Sequence, residues 1–361
     1  MIVGIDVSPL HSGHKVRGIG FYTKRLIASL KKIEPEKLEI KELENKKQVK
    51  EQNYDVLHIP YFSPYFLTMP WPGKISKPMV VTIHDLIPVK YPHLYPPGIK
   101  AKIRWQLQKM LLKQADLVIT DSFASKYDIN DLAGYPLDKT FVIYLAAGEE
   151  FERLETRDWE KGLRVKYDLP EEFCLYVGDV NRNKNIPNLV KACQQAKMPL
   201  IIVGKQAVSQ DYDKDHPENK DLVWLQNYFE NCNLKIGNSK FLNLVGFVPT
   251  EDLVKIYNLA TVYCQPSIDE GFGLPVLEAM ACGCPVVSSN QGSLTEVVGE
   301  AGLVTGTETE KLAEAIIKVK EDDSRRQQLV EKGLARAKEF SWENTAKETV
   351  KVYRMASEID S

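Results

Sequence analysis

Two carboxylates eight positions apart, Glu270 and Glu278, raise the first chemical question. They lie in the run Pro266-Ser-Ile-Asp-Glu270-Gly271-Phe272-Gly273-Leu274-Pro275-Val-Leu-Glu278-Ala-Met280, which follows the apolar stretch Val262 to Gln265. Gly271 and Gly273 permit a tight turn with free backbone amides, and Pro275 suits the first position of a helix. A helix that starts there presents unpaired N–H groups and the positive end of its dipole, which together favour a phosphate. Glu270 is then expected just before the helix and Glu278 about one turn inside it. Carboxylates repel a diphosphate, so without a metal these two suit hydroxyl groups, such as those of a ribose and a hexose. Cations must come from elsewhere, and Gly178-Asp-Val-Asn-Arg182-Asn183-Lys184-Asn185 supplies Arg182 and Lys184. Taken singly, the same features read as a helix start with solvated acids and a basic loop.

Elements of a particular kind are needed to bring these loops together. Short apolar runs alternate with longer amphipathic ones, as in parallel sheets covered by helices. The first series predicts strands over Ile2 to Val7, Val56 to Ile59, Met79 to Ile83, Leu117 to Thr120 and Phe141 to Tyr144, with helices over 22–32 and 99–114. A polar stretch, 149–172, interrupts the pattern. Strands resume at Cys174 to Val177, Leu200 to Val203, Leu242 to Gly246, Val262 to Gln265, Val286 to Ser288 and Gly302 to Val304. The segment 206–240 reads as an elaborated loop and helix, and 310–355 as two or three closing helices. The fold class is therefore α/β, with two Rossmann-like, doubly wound domains joined near residue 150. Ligands of such folds bind beyond the carboxyl ends of the strands, which predicts a cleft between the halves.

A chain of 361 residues is long for one core, which agrees with two domains. Its formal charge of -2 and 27% charged residues exclude no function class by themselves. The six cysteines all lie in the second half, none with zinc-type C-x2-C spacing, which suits free thiols in a reducing compartment. Cys282-Gly-Cys284 reads as a helix end, with a reactive dithiol as the competing reading. Met1 to Val7 is already strand-like, with no secretion signal, and no run of about 18 apolar residues spans a membrane. The expected location is cytoplasmic.

The run from Glu270 through Gly283, with Pro285-Val-Val and Glu296-Val beyond it, resembles the Glu-seven-residues-Glu motif of the large family-4 retaining glycosyltransferases. Val245-Gly246-Phe247-Val-Pro249, the loop 182–185 and Phe340-Ser-Trp342 extend the resemblance over nearly the whole chain. It implies the GT-B fold, in which two Rossmann-like domains face each other across a cleft. Residues 1–150 would bind the acceptor and 151–340 the nucleotide sugar, with 341–361 a helix packing back towards the N-terminal domain. Glu278 would bind the ribose hydroxyls and Glu270 the donor sugar. Gly271, Phe272, Gly273 and Leu274 would lie near the sugar and diphosphate, and Lys184 matches the family's diphosphate-binding lysine. The family usually has Arg directly before that Lys; here Asn183 intervenes and Arg182 stands one place earlier. Gly246 and Phe247 would meet the base through their backbone.

In the first half, Arg17-Gly18-Ile-Gly20-Phe-Tyr22 is not a full G-x-G-x-x-G fingerprint, and no acid closes a dinucleotide site. By resemblance this glycine-rich loop lies under the donor diphosphate and beside the acceptor. His84 and Asp85 fall at the carboxyl end of a predicted strand, where cleft-facing groups belong. His84 is assigned to the donor sugar or leaving diphosphate and Asp85 to the acceptor side. His58, also at a strand end, is acceptor-side or structural. From Leu86 through Ala115 there is no acid, but Lys90, Lys100, Lys102, Arg104, Lys109 and Lys113 surround Trp105, Leu107, Met110 and Leu111. Such a helix either rests on anionic headgroups at Lys100–Lys113, on the inner face of the membrane, or is an ordinary solvated surface. No nucleic-acid module or aromatic stacking platform accompanies the charges.

The resemblance implies retaining transfer of a hexose from a nucleoside diphosphate sugar to a glycan or lipid-linked glycan. It further implies front-face attack, with neither a metal nor a cofactor. The Gly-Ile-Gly-Phe-Tyr and Ile-His-Asp-Leu-Ile-Pro runs are most similar to the mannosyltransferase-like branch, which points to GDP-mannose. The alternatives are a catalytically silent nucleotide-sugar-binding subunit and a GT-B-like epimerase.

Overall fold

The computed structural model describes residues 1–11, 18–33, 36–51, 53–71, 73, 75 and 77–359. The chain divides into two compact units, one formed by Met1–Ala146 with Phe340–Ser361 and the other by Ala147–Glu339.

The first unit holds six parallel strands: β1 (Ile2–Asp6), β2 (Glu39–Leu43), β3 (Val56–Ile59), β4 (Met79–Thr82), β5 (Leu117–Thr120) and β6 (Thr140–Val142). Their order is β2-β1-β3-β4-β5-β6. β3, β4 and β5 are buried along their whole length, as central strands of a covered parallel sheet must be. β2 was not anticipated, because Glu39, Lys41 and Glu42 mask its two apolar residues. The helix Gly18–Leu30 begins four residues earlier than the periodicity predicts, so Gly18 and Gly20 form its first turn rather than a loop. The helix Trp342–Ile359 packs against it and against β3, β4 and β5. Its buried residues Trp342, Ala346, Val350 and Tyr353 recur at helical spacing.

The second unit contains β7 (Cys174–Val177), β8 (Leu200–Val203), a small antiparallel pair, β9 (Lys235–Ile236) with β10 (Ser239–Lys240), and then β11 (Leu242–Gly246), β12 (Val262–Gln265), β13 (Val286–Ser289) and β14 (Leu303–Thr305). Its main sheet is parallel, in the order β11-β8-β7-β12-β13-β14. Renumbered within the sheet this is 3-2-1-4-5-6, the doubly wound Rossmann order, and its topological switch point lies between β7 and β12. The polar stretch 149–172 contains the helix Glu160–Tyr167, which buries Leu163. All the thiols but Cys232 are buried, and burial raises those of Cys282 and Cys284, so the helix-end reading of that run stands and the reactive-dithiol reading falls.

Candidate donor site

The loops that leave β7 and β12 flank the switch point of the second unit, and asparagines sew them together. Asn183 is buried; its side-chain amide donates to the Asp269 carbonyl at 3.0 Å, and its own carbonyl accepts from the Ile268 amide at 2.7 Å. Asn185, held at φ 58°, donates to the Pro266 carbonyl at 3.1 Å. This pairing brings Lys184 to Glu270, with Nζ 2.7 Å from both carboxylate oxygens. Oε1 of Glu270 also accepts from Gln265 Nε2 and Ser267 Oγ, each at 2.7 Å, and Tyr263 OH donates to Oε1 of the Gln265 side chain. Glu270 is only 8% exposed, so these donors replace its water almost completely.

A third loop supports this one from behind. Ser293 Oγ donates to the carbonyls of Glu270 at 3.0 Å and Phe272 at 2.8 Å, and Ser289 Oγ to that of Ser267 at 2.6 Å. A Cβ on Gly292 would stand 2.2 Å from Asp269 Oδ1, so no side chain fits between the two loops. Gln265, Ser267, Gly292 and Ser293 were not singled out from the sequence. Only Gln265 carried a signal there, as a polar residue closing an apolar strand.

The helix Leu274–Ala281 follows, with Pro275 at its second position. Gly273 precedes it at φ 106°, a left-handed conformation that glycine adopts without strain. Gly273, the N-cap residue, has no side chain with which to cap the helix, and a helix start of this kind suits a phosphate. Glu278 is half-buried one turn inside, and its Oε2 accepts from Tyr257 OH at 3.1 Å. Arg182 departs from the predicted geometry. Its Nε faces Asp221 of the helix Lys220–Asn231 at 3.7 Å and, though buried, makes no hydrogen bond among the described residues. Burial raises the Asp221 carboxyl, and the guanidinium pulls it back down. The 206–240 segment thus supplies the acid that faces Arg182.

Gly178, Gly204 and Gly246 lie at the carboxyl ends of the adjacent strands β7, β8 and β11. The Gly178 amide donates to Val203 and the Gly204 amide to Gly246, both at 2.9 Å. A Cβ on Gly204 would lie 2.2 Å from the Gly178 carbonyl oxygen. Phe247, next along, projects into solvent.

In the first unit, His84 Nδ1 is 2.6 Å from Asp121 Oδ2, and its ring stands edge-on to Tyr22 at 4.7 Å. Burial acts to lower the imidazole pKa, but Asp121 outweighs it, with help from Asp85, and the net shift is upward. Nε2 of His84 is buried without a hydrogen-bond partner among the described residues. Asp121 ends β5 as His84 follows β4, so the strand-end rule that selected His84 also applies to Asp121, which was missed. Asp85 Oδ1 accepts from the Ile87 amide at 3.0 Å, capping the short helix Ile87–Lys90.

His58 requires a correction. It is fully buried, with Nδ1 2.7 Å from Tyr353 OH and Nε2 2.8 Å from Thr82 Oγ1, which in turn meets Tyr22 OH at 3.0 Å. Both ring nitrogens are satisfied by core hydroxyls, so its role is structural and the acceptor-side alternative fails. Arg17 lies outside the described residues. A cavity of about 440 Å³ opens at the carboxyl ends of β1, β2 and β3, lined by Asp6, Glu44, Asn45, Tyr61 and Thr68.

Two parallel Rossmann-type sheets, the second with its site at the switch point, define the class, a GT-B fold. Solved structures with that fold include sucrose-phosphate synthase from Thermosynechococcus elongatus, at TM-score 0.73 and 22% identity over 98% of both chains. Anabaena Alr3699/HepE, in complex with UDP and glucose, matches at TM-score 0.71 and 18% identity over 98% of this chain and 99% of that one. The chain belongs to the family of glycosyl transferases group 1, whose model matches residues 146–336, and Glycosyltransferase Family 4 matches residues 40–147. It is a glycosyltransferase. O-antigen chain mannosyltransferase B of Escherichia coli is 34% identical over 288 residues, 76% of this chain and 70% of that protein. Serotype-specific mannosyltransferase WbdA of Escherichia coli is 28% identical over 74% of this chain, which spans only 32% of WbdA.

Proposed function

We propose that this glycosyltransferase transfers mannose from GDP-mannose to a hydroxyl of a glycan or lipid-linked glycan, with retention and without a bound metal. The observation that carries the reading is the Lys184–Glu270 clamp at the switch point, beside an uncapped helix start. As the sugar–phosphate bond breaks, charge grows on the departing diphosphate and the sugar gains oxocarbenium character. Lys184 and the amides of residues 271–273 are the fixed positive groups that stabilise the first. Glu270 binds sugar hydroxyls, Glu278 the ribose, and the backbone at Gly246 and Phe247 the base. Nε2 of His84 is assigned to the sugar or leaving diphosphate.

Retention by double displacement requires a carboxylate free to attack. Glu270 is a poor nucleophile, because Lys184 binds both its oxygens and Gln265 and Ser267 also donate to Oε1, which leaves Oε2 room for a sugar hydroxyl but disperses the charge needed for attack. That supports front-face attack, in which the leaving phosphate takes the acceptor proton. The acceptor is assigned to the 440 Å³ cavity of the first unit, where Asp6, Glu44 and Asn45 suit hydroxyl groups. Mannose is favoured by the two mannosyltransferase relatives; the UDP of the Anabaena complex favours a uridine donor.

Thermal shift against GDP, UDP, ADP and their sugar conjugates decides among these donors. A ligand at about 100 times its dissociation constant stabilises the fold by about 2.7 kcal/mol. A shift with GDP and GDP-mannose that Glu278→Ala abolishes is expected. A shift with UDP alone overturns the choice of base, and none with any nucleotide overturns the donor site. Proton NMR of the product reads retention from the anomeric coupling.

A further inference from the structure

Among the described residues no helix is long and apolar enough to cross a membrane. One face of the first unit is nevertheless built unlike an ordinary solvated surface. Residues 56–115 carry eight Lys and Arg but a single acid, Asp85, in a chain whose overall charge is -2. The helix Ile99–Leu112 belongs to this stretch. At about 100° per residue, Ile99, Ile103, Gln106 and Met110 fall within about 60° of one another. That stripe points away from the core, since the buried Gln108, Leu111 and Leu112 occupy the opposite side. Ile99 is 80% exposed, Ile103 63% and Met110 54%. By the same geometry Lys102, Lys109 and Lys113 flank the stripe on one side and Lys100 on the other, while the exposed Arg104 lies further round, towards the loop 61–71.

This corrects the sequence-based expectation of which side chains would face lipid. Leu111 is in the core and Trp105 packs edge-on against the buried Phe62 at 6.5 Å; of the four residues named from the sequence only Met110 is exposed, and Ile99 and Ile103 join it. A second segment widens the face. The loop 61–71 runs along the helix, tied by Gln108 Nε2 to the Ser63 carbonyl at 2.8 Å and to Thr68 Oγ1 at 2.7 Å, and by Arg104 and Gln114 to the carbonyls of Tyr65 and Pro70, each at 3.4 Å. It exposes Phe66, Leu67 and Trp71, and an apolar cavity of about 330 Å³ lined by Tyr65, Val89, Pro92, Pro97 and Trp105 adjoins the helix. Exposed apolar residues are ordinary when scattered, but here six come from two adjoining segments, and the helix that carries three of them has lysines beside its stripe and no acid.

We propose that this face docks on an anionic lipid surface. Ile99, Ile103, Met110, Phe66 and Trp71 enter the interfacial layer, while the flanking lysines and Arg104 meet the phosphate headgroups. The charge selects the occupant: Lys100, Lys102, Lys109 and Lys113 beside the apolar stripe call for an anionic surface, and a bilayer rich in phosphate supplies that sign. Leu67 and Thr68 of the same loop also line the 440 Å³ cavity, so an acceptor anchored in that bilayer would reach the cavity without leaving it. That corollary rests on the acceptor assignment above; the docking itself does not.

The test is co-sedimentation of the full chain with phosphatidylcholine vesicles, with or without about one-third phosphatidylglycerol. Wild type should bind the anionic vesicles at least about ten-fold more tightly than the neutral ones, and lose that advantage in about 0.5 M salt. The triple variants Lys102→Glu/Lys109→Glu/Lys113→Glu and Phe66→Ser/Ile103→Ser/Met110→Ser should each bind more than about ten-fold more weakly, at unchanged melting temperature. The proposal is overturned if wild type binds neither vesicle or both alike. It is also overturned if both variants bind as wild type, or if the face instead mediates a dimer in sedimentation velocity that the serine variant dissolves. Vesicle binding needs no turnover, so its failure is separate from failure of the donor reading.

Discussion

Acidification from pH 6.5 to 4.5 should weaken the first unit by about 2 kcal/mol through a single group, His58. Its ring is fully buried between Tyr353 and Thr82, with no carboxylate partner, and burial pushes its pKa from 6.5 down to about 3. Between those values the unfolded chain binds a proton that the folded unit refuses. Stability therefore rises with pH across the window, at up to about 1.4 kcal/mol per unit, and falls on acidification. His84 runs the other way. Its folded pKa is raised, so the stabilisation it gives is fully present below pH 6.5 and is lost only as pH rises through the folded value. Below pH 6.5 its contribution is constant, which leaves His58 to set the histidine slope. His58→Gln keeps a neutral donor and acceptor between the two hydroxyls but cannot take up the proton. Hydrogen exchange at the amides of β3 and β4, corrected for intrinsic rate, follows this unit separately from the other. Wild type should lose about 2 kcal/mol of protection between the two pH values, and His58→Gln should lose much less. Parallel losses in both proteins would show that the buried imidazole is not the acid-sensitive group.

Three further outcomes follow from the same geometry. Lys184→Ala leaves Glu270 with Gln265 and Ser267 only and removes the fixed cation; kcat/KM for the donor should fall by about 10–100-fold, and an unchanged value would remove Lys184 from the site. Asp121→Asn deletes the carboxylate that raises the His84 pKa, so the limb of the pH–rate profile that belongs to His84 should move to lower pH; a profile that merely drops in height would make Asp121 only structural. Gly204→Ala forces a methyl against the Gly178 carbonyl and should destabilise the second unit by about 1–3 kcal/mol, whereas Gly162→Ala, in open space on a helix, should stabilise it by up to about 1 kcal/mol. Melting curves that rank the two variants in the opposite order would contradict the packing argument.

What could be read from the chain depended on where the reason for a residue lies. β7, β8 and β12 match the predicted bounds to the residue, because a strand buried on both faces must be a nearly continuous apolar run. β2 stands at the edge of the first unit's sheet, where charge is tolerated, so its residues leave no such run. The helical turn at Gly18 and Gly20 was hidden for a related reason: two glycines are what a helix interior disfavours, and packing overrode that preference.

The site divides in the same way. Glu270 and Lys184 stand out because a charged residue beside a glycine turn has few structural uses. Gln265, Ser267, Gly292 and Ser293 matter only because three separate loops converge, and no spacing within one segment encodes that convergence. The helix Ile99–Leu112 shows the limit most directly. Its buried side carries a glutamine and its solvent side carries isoleucines, so the side a hydrophobicity pattern would place inward is the one that faces out. Gln108 resolves the ambiguity, since a buried amide must find partners, and the Ser63 carbonyl and the Thr68 hydroxyl are both on the loop 61–71. Once that amide is fixed inward, the rotation of the helix is fixed with it, and Ile103 and Met110 have nowhere to point but outward among the lysines.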